Sequence, residues 1–175
     1  MVDWREVQLK FRWALSFNCY WVDREWQYRS IKPMIIAERL LETSDGRIPD
    51  DIKINCINGR AEFIYLSLDR EGINKRKVVD IQWKPLPFTW ARKEKGSKLA
   101  DVSLGPPPSS LPKMIELAEQ VAKHFPYVRV DFYEVDGSLF LGEITQCHGG
   151  GYDRIVPLEW DEAYGKKLDL TVKYS

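Results

Sequence analysis

Tyr127-Val128-Arg129-Val130-Asp131-Phe132-Tyr133-Glu134-Val135-Asp136-Gly137-Ser138-Leu139-Phe140-Leu141-Gly142-Glu143-Ile144-Thr145 decides the fold. Its first half alternates, with Val128, Val130 and Phe132 on one face and Arg129, Asp131 and Tyr133 on the other. Asp136-Gly137 follows where a hairpin needs positive φ. In the second half Leu139, Leu141, Glu143 and Thr145 share a face. A two-residue turn at Asp136-Gly137 pairs Val135 with Ser138 and sends Asp131 and Glu143 to opposite faces. A three-residue turn, Val135-Asp136-Gly137 with Gly137 as a left-handed bulge residue, pairs Glu134 with Ser138 instead. Arg129 then faces Glu143, and Arg129, Asp131, Glu143 and Thr145 share one face; this is the expected register. Asp131 and Glu143 become diagonal neighbours, with Cα atoms about 7–8 Å apart. Two carboxylates at that spacing repel by about 2 kcal/mol at an effective dielectric of about 20, and a divalent cation reverses the sign. Mg²⁺ suits hard oxygen ligands of this kind and completes its shell with water and phosphate. The alternative is a solvated sheet face on which Arg129 pairs with Glu143 across the strands.

Upstream, Pro112 to Phe125 carries Met114, Ile115, Leu117, Ala118, Val121, Ala122 and Phe125 at helical spacing, with Pro112 in the first turn and Pro126 as the stop. Asp51 to Leu66 holds two alternating runs around Asn58-Gly59, a second hairpin. Lys77 to Trp83 is a third strand candidate, and the proline-rich stretch 84–112 reads as a long irregular loop. After Pro33, the run Met34 to Leu41 has the length and β-branched start of a buried strand, closed by a turn at Glu42 to Arg47. Arg5 to Phe17 predicts a helix. Tyr20, Trp21, Trp26 and Tyr28 then crowd a stretch that something should cover. Downstream, His148-Gly149-Gly150-Gly151 is either an anion-binding nest or a plain flexible connection. A short acidic region surrounds Glu159 to Glu162. Strands with one or two helices make the class α+β. The expected division is 1–32, a helix and aromatic linker, and 33–175, the sheet-bearing domain.

The chain of 175 residues has 26 Lys plus Arg against 26 Asp plus Glu, so its formal charge is zero. That balance argues against a general nucleic-acid or membrane-surface binder. An apolar content of 44% is enough to fill a core, and no apolar run reaches the length of a membrane span. The acidic, aromatic start is unlike a signal peptide. Cys19, Cys56 and Cys147 are odd in number and lack CxxC spacing, so a disulfide framework is not expected and a cytoplasmic protein is.

Arg129 to Tyr133, then Asp136-Gly137, then Gly142 to Thr145 resembles the metal-binding hairpin of ATP-grasp enzymes. Ile35 to Leu41 is similar to the hinge strand of those enzymes. Ile36-Ala37-Glu38, Pro49 to Lys53, Asn58-Gly59, Asp69-Arg70, Arg129 to Val135 and Gly142 to Thr145, in that order, resemble the TupA-like ATP-grasp family, associated with teichuronopeptide and other surface-polysaccharide biosynthesis. The resemblance covers roughly residues 20–168. It implies ATP and Mg²⁺ as cofactors, with Asp131 and Glu143 as metal ligands. Thr145 stands where many such enzymes carry Asn, a weaker third ligand. It further implies that Arg129 neutralises the transferring phosphate, that Glu38, Arg39 and Leu40 hold adenine, and that Asp51 and Lys53 reach ribose and phosphate. For Lys53 a solvated strand lysine is the alternative. The implied activity is formation of an acyl-phosphate that an amine or a polysaccharide-linked acceptor attacks. The expected architecture is an antiparallel sheet with two hairpins and flanking helices. Only 33 residues precede the expected hinge strand, so the amino-terminal lobe is expected to be missing. Two other readings remain: a non-catalytic module that binds a protein partner through its N-terminal aromatic face, and a polysaccharide-biosynthesis glycosyltransferase-type protein that binds a nucleotide sugar.

Overall fold

The computed structural model describes residues 2–68, 75–91 and 103–171. Asp69-Arg70 and part of the proline-rich stretch lie outside the described residues. The chain divides into two compact units, Met1–Leu40 and Leu41–Ser175.

The first unit is helical. Helix α1 (Trp4–Leu15) starts at Asp3, whose carboxylate accepts from the backbone N–H groups of Arg5 and Glu6; this is how a capping side chain satisfies donors that the helix leaves open. Helix α2 (Tyr20–Asp23) and a 3-10 turn (Trp26–Tyr28) follow. Asn18 ties them together, donating to the carbonyls of Tyr28 at 2.8 Å and Ile31 at 3.1 Å. Cover for the aromatic stretch comes partly from its own arginines. The Arg29 guanidinium lies 4.8 Å from the Trp26 ring centroid and that of Arg24 5.6 Å from Trp21. Met34 to Leu41 is not a strand. It runs irregularly and mostly exposed, with Met34 70%, Ile36 76% and Leu40 62% accessible. A strand exists through its ladder, and the described residues of the first unit include no strand to supply one.

The second unit is built on a five-stranded antiparallel sheet, in spatial order β3 (Lys75–Val79), β2 (Arg60–Leu68), β1 (Asp51–Ile57), β5 (Tyr127–Val135) and β6 (Ser138–Thr145). Both expected hairpins are present. Helix α3 (Leu111–Ala122) covers one face, burying Met114, Ala118 and Ala122 against Ile52, Ile54, Ile64, Val128, Val130 and Phe132. Glu134 fastens its start, accepting from the Ser110 N–H at 2.9 Å and from the Ser110 hydroxyl. Those bonds outweigh the burial that opposes charge and hold the Glu134 carboxyl below its ordinary range. Strand β3 ends earlier than expected, because the Asp80 carboxylate accepts from the N–H groups of Gln82 and Lys84 and turns the chain there. The proline-rich stretch is not wholly irregular: β4 (Thr89–Ala91) pairs with β7 (Arg154–Val156) in a small second sheet. The acidic region is helix α4 (Leu158–Lys167). Its Trp160 and Tyr164 pack with Phe63 and Phe88 over one end of the main sheet's second face. The middle of that face is polar, with Lys53, Asn55, Arg129 and Asp131.

Candidate functional site

The second face of β1 and β5 carries charge where a sheet normally carries core. Along β1, Asp51, Lys53 and Asn55 alternate with Ile52, Ile54 and Cys56; Asp51 and Asn55 are buried like the apolar set, and Lys53 is partly buried. Pairing of β1 with β5 sets Lys53 opposite Asp131 and Asn55 opposite Arg129. Asp131 is 1% exposed and takes three charged donors. Arg129 grips it in fork geometry, Nε to Oδ1 at 2.7 Å and Nη2 to Oδ2 at 2.8 Å, and Lys53 Nζ reaches Oδ2 at 2.6 Å. Lys53 also lies 2.6 Å from Asp51 Oδ2. Arg129 Nη2 continues to Glu143 Oε2 at 3.1 Å. Burial alone pulls the Arg129 guanidinium down, but its bonds to Asp131 and the charge of Glu143 outweigh burial and raise it. It stays charged.

The register of the second hairpin differs from the expected one. Its turn is the two-residue kind, with Asp136 at φ 49 and Gly137 at φ 79 and Val135 opposite Ser138. That turn alone would put the two acids on opposite faces. A bulge corrects it: Phe132 faces Leu141 and Asp131 faces Glu143, so Gly142 is the extra residue. Asp131 and Glu143 are therefore directly opposite rather than diagonal, and Arg129 faces Thr145 rather than Glu143. Glycine is required at the bulge by close approach. A Cβ on Gly142 would stand 2.6 Å from Tyr133 Cε2 and 3.3 Å from the Asp131 carbonyl oxygen.

Of the residues predicted from sequence, Asp51, Lys53, Arg129, Asp131, Glu143 and Thr145 thus share one sheet face. Glu38, Arg39 and Leu40 fall in the first unit, exposed and on no strand. The sequence reading did not anticipate the contact of Lys53 with Asp131, nor the partner of His148. His148 Nδ1 is 3.0 Å from Asp153 Oδ2, and its ring packs against that of Trp90 at a tilt of 51°, with centroids 4.1 Å apart. Burial, helped by the positive charge of Arg129, holds the imidazole down to about 4, so it is neutral near pH 7. Beside it opens a cavity of ≈490 Å³ lined by Trp90, Phe125, Tyr127, Asp153 and Leu168 among others. The signal for the Lys53 contact was available as three polar residues at period two, alternating with Ile52, Ile54 and Cys56.

An antiparallel sheet backed by a helix thus carries two acids and an arginine fork on its second face. The chain belongs to the TupA-like ATP-grasp family, whose model matches residues 1–169. It is an ATP-grasp-type ligase module, from a family that generally binds ATP and Mg²⁺. No curated protein and no solved structure matches the chain at a significant level. No helix among the described residues is long and apolar enough to cross a membrane.

The residues present fit Mg²⁺. The described residues hold no group of three or more acidic, His or Cys side chains that could cage a metal alone. Mg²⁺ binds typically through one or two carboxylates, with water and substrate phosphates completing its shell. Asp131 and Glu143, directly opposite each other, would supply that pair. Beside them the Thr145 hydroxyl oxygen is buried with no hydrogen-bond partner among the described residues, and a buried hydroxyl left in that state calls for a ligand.

Proposed function

We propose that this chain is the nucleotide- and Mg²⁺-binding portion of an ATP-grasp ligase, with Asp131, Glu143 and Thr145 as the metal side of the site. The direct pairing of Asp131 with Glu143 across the Gly142 bulge, bridged by Arg129, carries this reading. Bound Mg²⁺ would supply positive charge against the β- and γ-phosphates. Glu143, half-exposed, is the acid free to turn outward, while Asp131 is held in place. Arg129 keeps its planar fork on Asp131 and presents the remaining donor edge to the phosphate that moves, so charge developing there meets a fixed cation. Lys53 and Asp51 serve phosphate and ribose. The reaction is attack of a substrate carboxylate oxygen on the γ-phosphorus, with the bond to ADP breaking. An amine or a polysaccharide-linked acceptor then displaces phosphate from the acyl-phosphate, in surface-polysaccharide biosynthesis in the cytoplasm. The cavity beside His148 is the space for that acceptor.

A thermal-shift titration with ATP, with and without Mg²⁺, on wild type and Glu143→Gln tests the reading. At about a hundred times the dissociation constant, ligand adds about 2.7 kcal/mol of stability. The expected result is a Mg²⁺-dependent rise that the variant loses. A wild type that gains nothing favours the second reading, a partner-binding module. That reading draws on α1, in which no residue is buried while Trp4 and Trp13 are each 69% exposed.

A further inference from the structure

Lys53 stands against two carboxylates at once, and one of them is a proposed metal ligand. Its Nζ is 2.6 Å from Asp51 Oδ2 and 2.6 Å from Asp131 Oδ2, with the lysine side chain 14% exposed and both acids almost wholly buried. On Asp131, Oδ1 takes Arg129 Nε, and Oδ2 takes both Arg129 Nη2 and Lys53, which fills its two lone pairs. A divalent cation that uses Oδ2 must displace one of these donors.

The two donors differ in how readily they leave. Arg129 is locked by a planar two-point fork and by a further contact to Glu143. An ammonium on a flexible four-carbon stem is a point charge that can change partners without moving the backbone. Lys53 also sits on the central strand, two residues from Asp51 and directly opposite Asp131, so both acids bind it from one rigid frame.

We propose that Lys53 is a tethered stand-in for the divalent cation. In the ligand-free protein it neutralises Asp51 and Asp131; when metal and nucleotide arrive together it passes to a nucleotide phosphate. This rests on the ligase reading above. Its consequence is coupling. Metal alone must take Asp131 from the ammonium and leave it only the contact with Asp51, so it binds weakly. Nucleotide supplies the anion, so metal and nucleotide each strengthen the other's binding by the same factor. Without Lys53 the site holds one positive charge fewer beside Asp51 and Asp131, and a metal ion alone meets no competing ammonium there.

Mn²⁺ binding, followed by electron paramagnetic resonance or calorimetry on wild type and Lys53→Met, first without nucleotide and then with ATP, tests the proposal. The expected effects have opposite signs. Lys53→Met binds Mn²⁺ alone at least tenfold more tightly than wild type and the Mn²⁺–ATP pair at least tenfold less tightly. If wild type binds Mn²⁺–ATP but Lys53→Met shows no gain for Mn²⁺ alone, the lysine proposal is overturned and the ligase reading stands. If wild type binds no Mn²⁺–ATP, both fall. Should Lys53→Met fail to fold, acylation of wild-type lysines by acetic anhydride, read by peptide mass, decides. Lys53 is expected to react slowly in the free protein, faster with saturating Mn²⁺ and slowly again with Mn²⁺–ATP. A rate that Mn²⁺ leaves unchanged overturns the proposal.

Discussion

Hairpin β1–β2 and hairpin β5–β6 turn on the same chemistry. Asn58-Gly59 has φ values of 48 and 81, and Asp136-Gly137 has 49 and 79. Each hairpin then carries one extra residue on its second strand, Glu62 in the first and Gly142 in the second. Their surroundings diverge. In β2 the run Phe63 to Ser67 is buried throughout, whereas β6 is an edge strand with Leu141 59% and Ile144 44% exposed. The first hairpin spends its bulge on packing: the extra Glu62 turns outward to pair with Lys167, and Phe63 and Ile64 stay on their faces. In the second hairpin the bulge aligns two acids on an open edge. A ligand site needs that openness, and a bulged, charged edge also resists pairing with another chain.

Four experiments break or sharpen this comparison. The largest effect is expected where the hairpins meet, at Asp131. Asp131→Ala leaves Arg129 and Lys53 buried without their shared carboxylate, and urea denaturation should show a loss of about 3–5 kcal/mol. Next, Ile64→Ala in the first hairpin should cost about 2–5 kcal/mol, and Leu141→Ala in the second no more than about 0.5 kcal/mol. Equal losses would mean that β6 is covered in solution.

The loop leaving β6 gives a pH effect. His148 is held at about 4 in the folded chain, below its ordinary value of about 6.5 in the unfolded one. As acid is added, the unfolded chain takes the proton first. The stability contribution is therefore whole above about pH 6.5 and is lost as pH falls toward 4, by about 3 kcal/mol. His148→Gln should flatten that part of a stability–pH curve; an unchanged slope would place its origin elsewhere.

The smallest and most diagnostic pair is Gly59→Ala and Gly142→Ala. The first forces a side chain into the left-handed region, at about 1–2 kcal/mol. In the second the Tyr133 ring must move, at about 1–3 kcal/mol. Their stability costs are similar, but only Gly142→Ala should abolish the Mg²⁺-dependent thermal shift with ATP, because only it disturbs the register of Asp131 and Glu143.

Much of the fold was legible because its signals are local. Asn58-Gly59 and Asp136-Gly137 tolerate the φ values their turns need, and the apolar spacing of Met114 to Ala122 makes one helix face whatever packs on it. The shared face of Arg129, Asp131, Glu143 and Thr145 was also anticipated, but through the wrong geometry. A three-residue turn and a two-residue turn followed by a bulge have the same effect on alternation. The residues near the turn do not distinguish them; the contact between Gly142 and Tyr133 does. Met34 to Leu41 shows the opposite failure, since its apolar, β-branched character is real but a strand needs a ladder partner.

By itself, then, the sequence determined the two hairpins, helix α3, the α+β class and the order of motifs that marks an ATP-grasp chain. The hairpins, the helix and the class follow from backbone preferences and periodicity within about twenty residues, whereas the motif order is a family resemblance spread along most of the chain. Only the tertiary structure decided that β1 pairs with β5 as well as β2, which brings Lys53 from 78 residues away onto Asp131, and that Asp153 meets His148. Such contacts depend on strand order and register, which are set by the burial of the whole sheet rather than by any one segment.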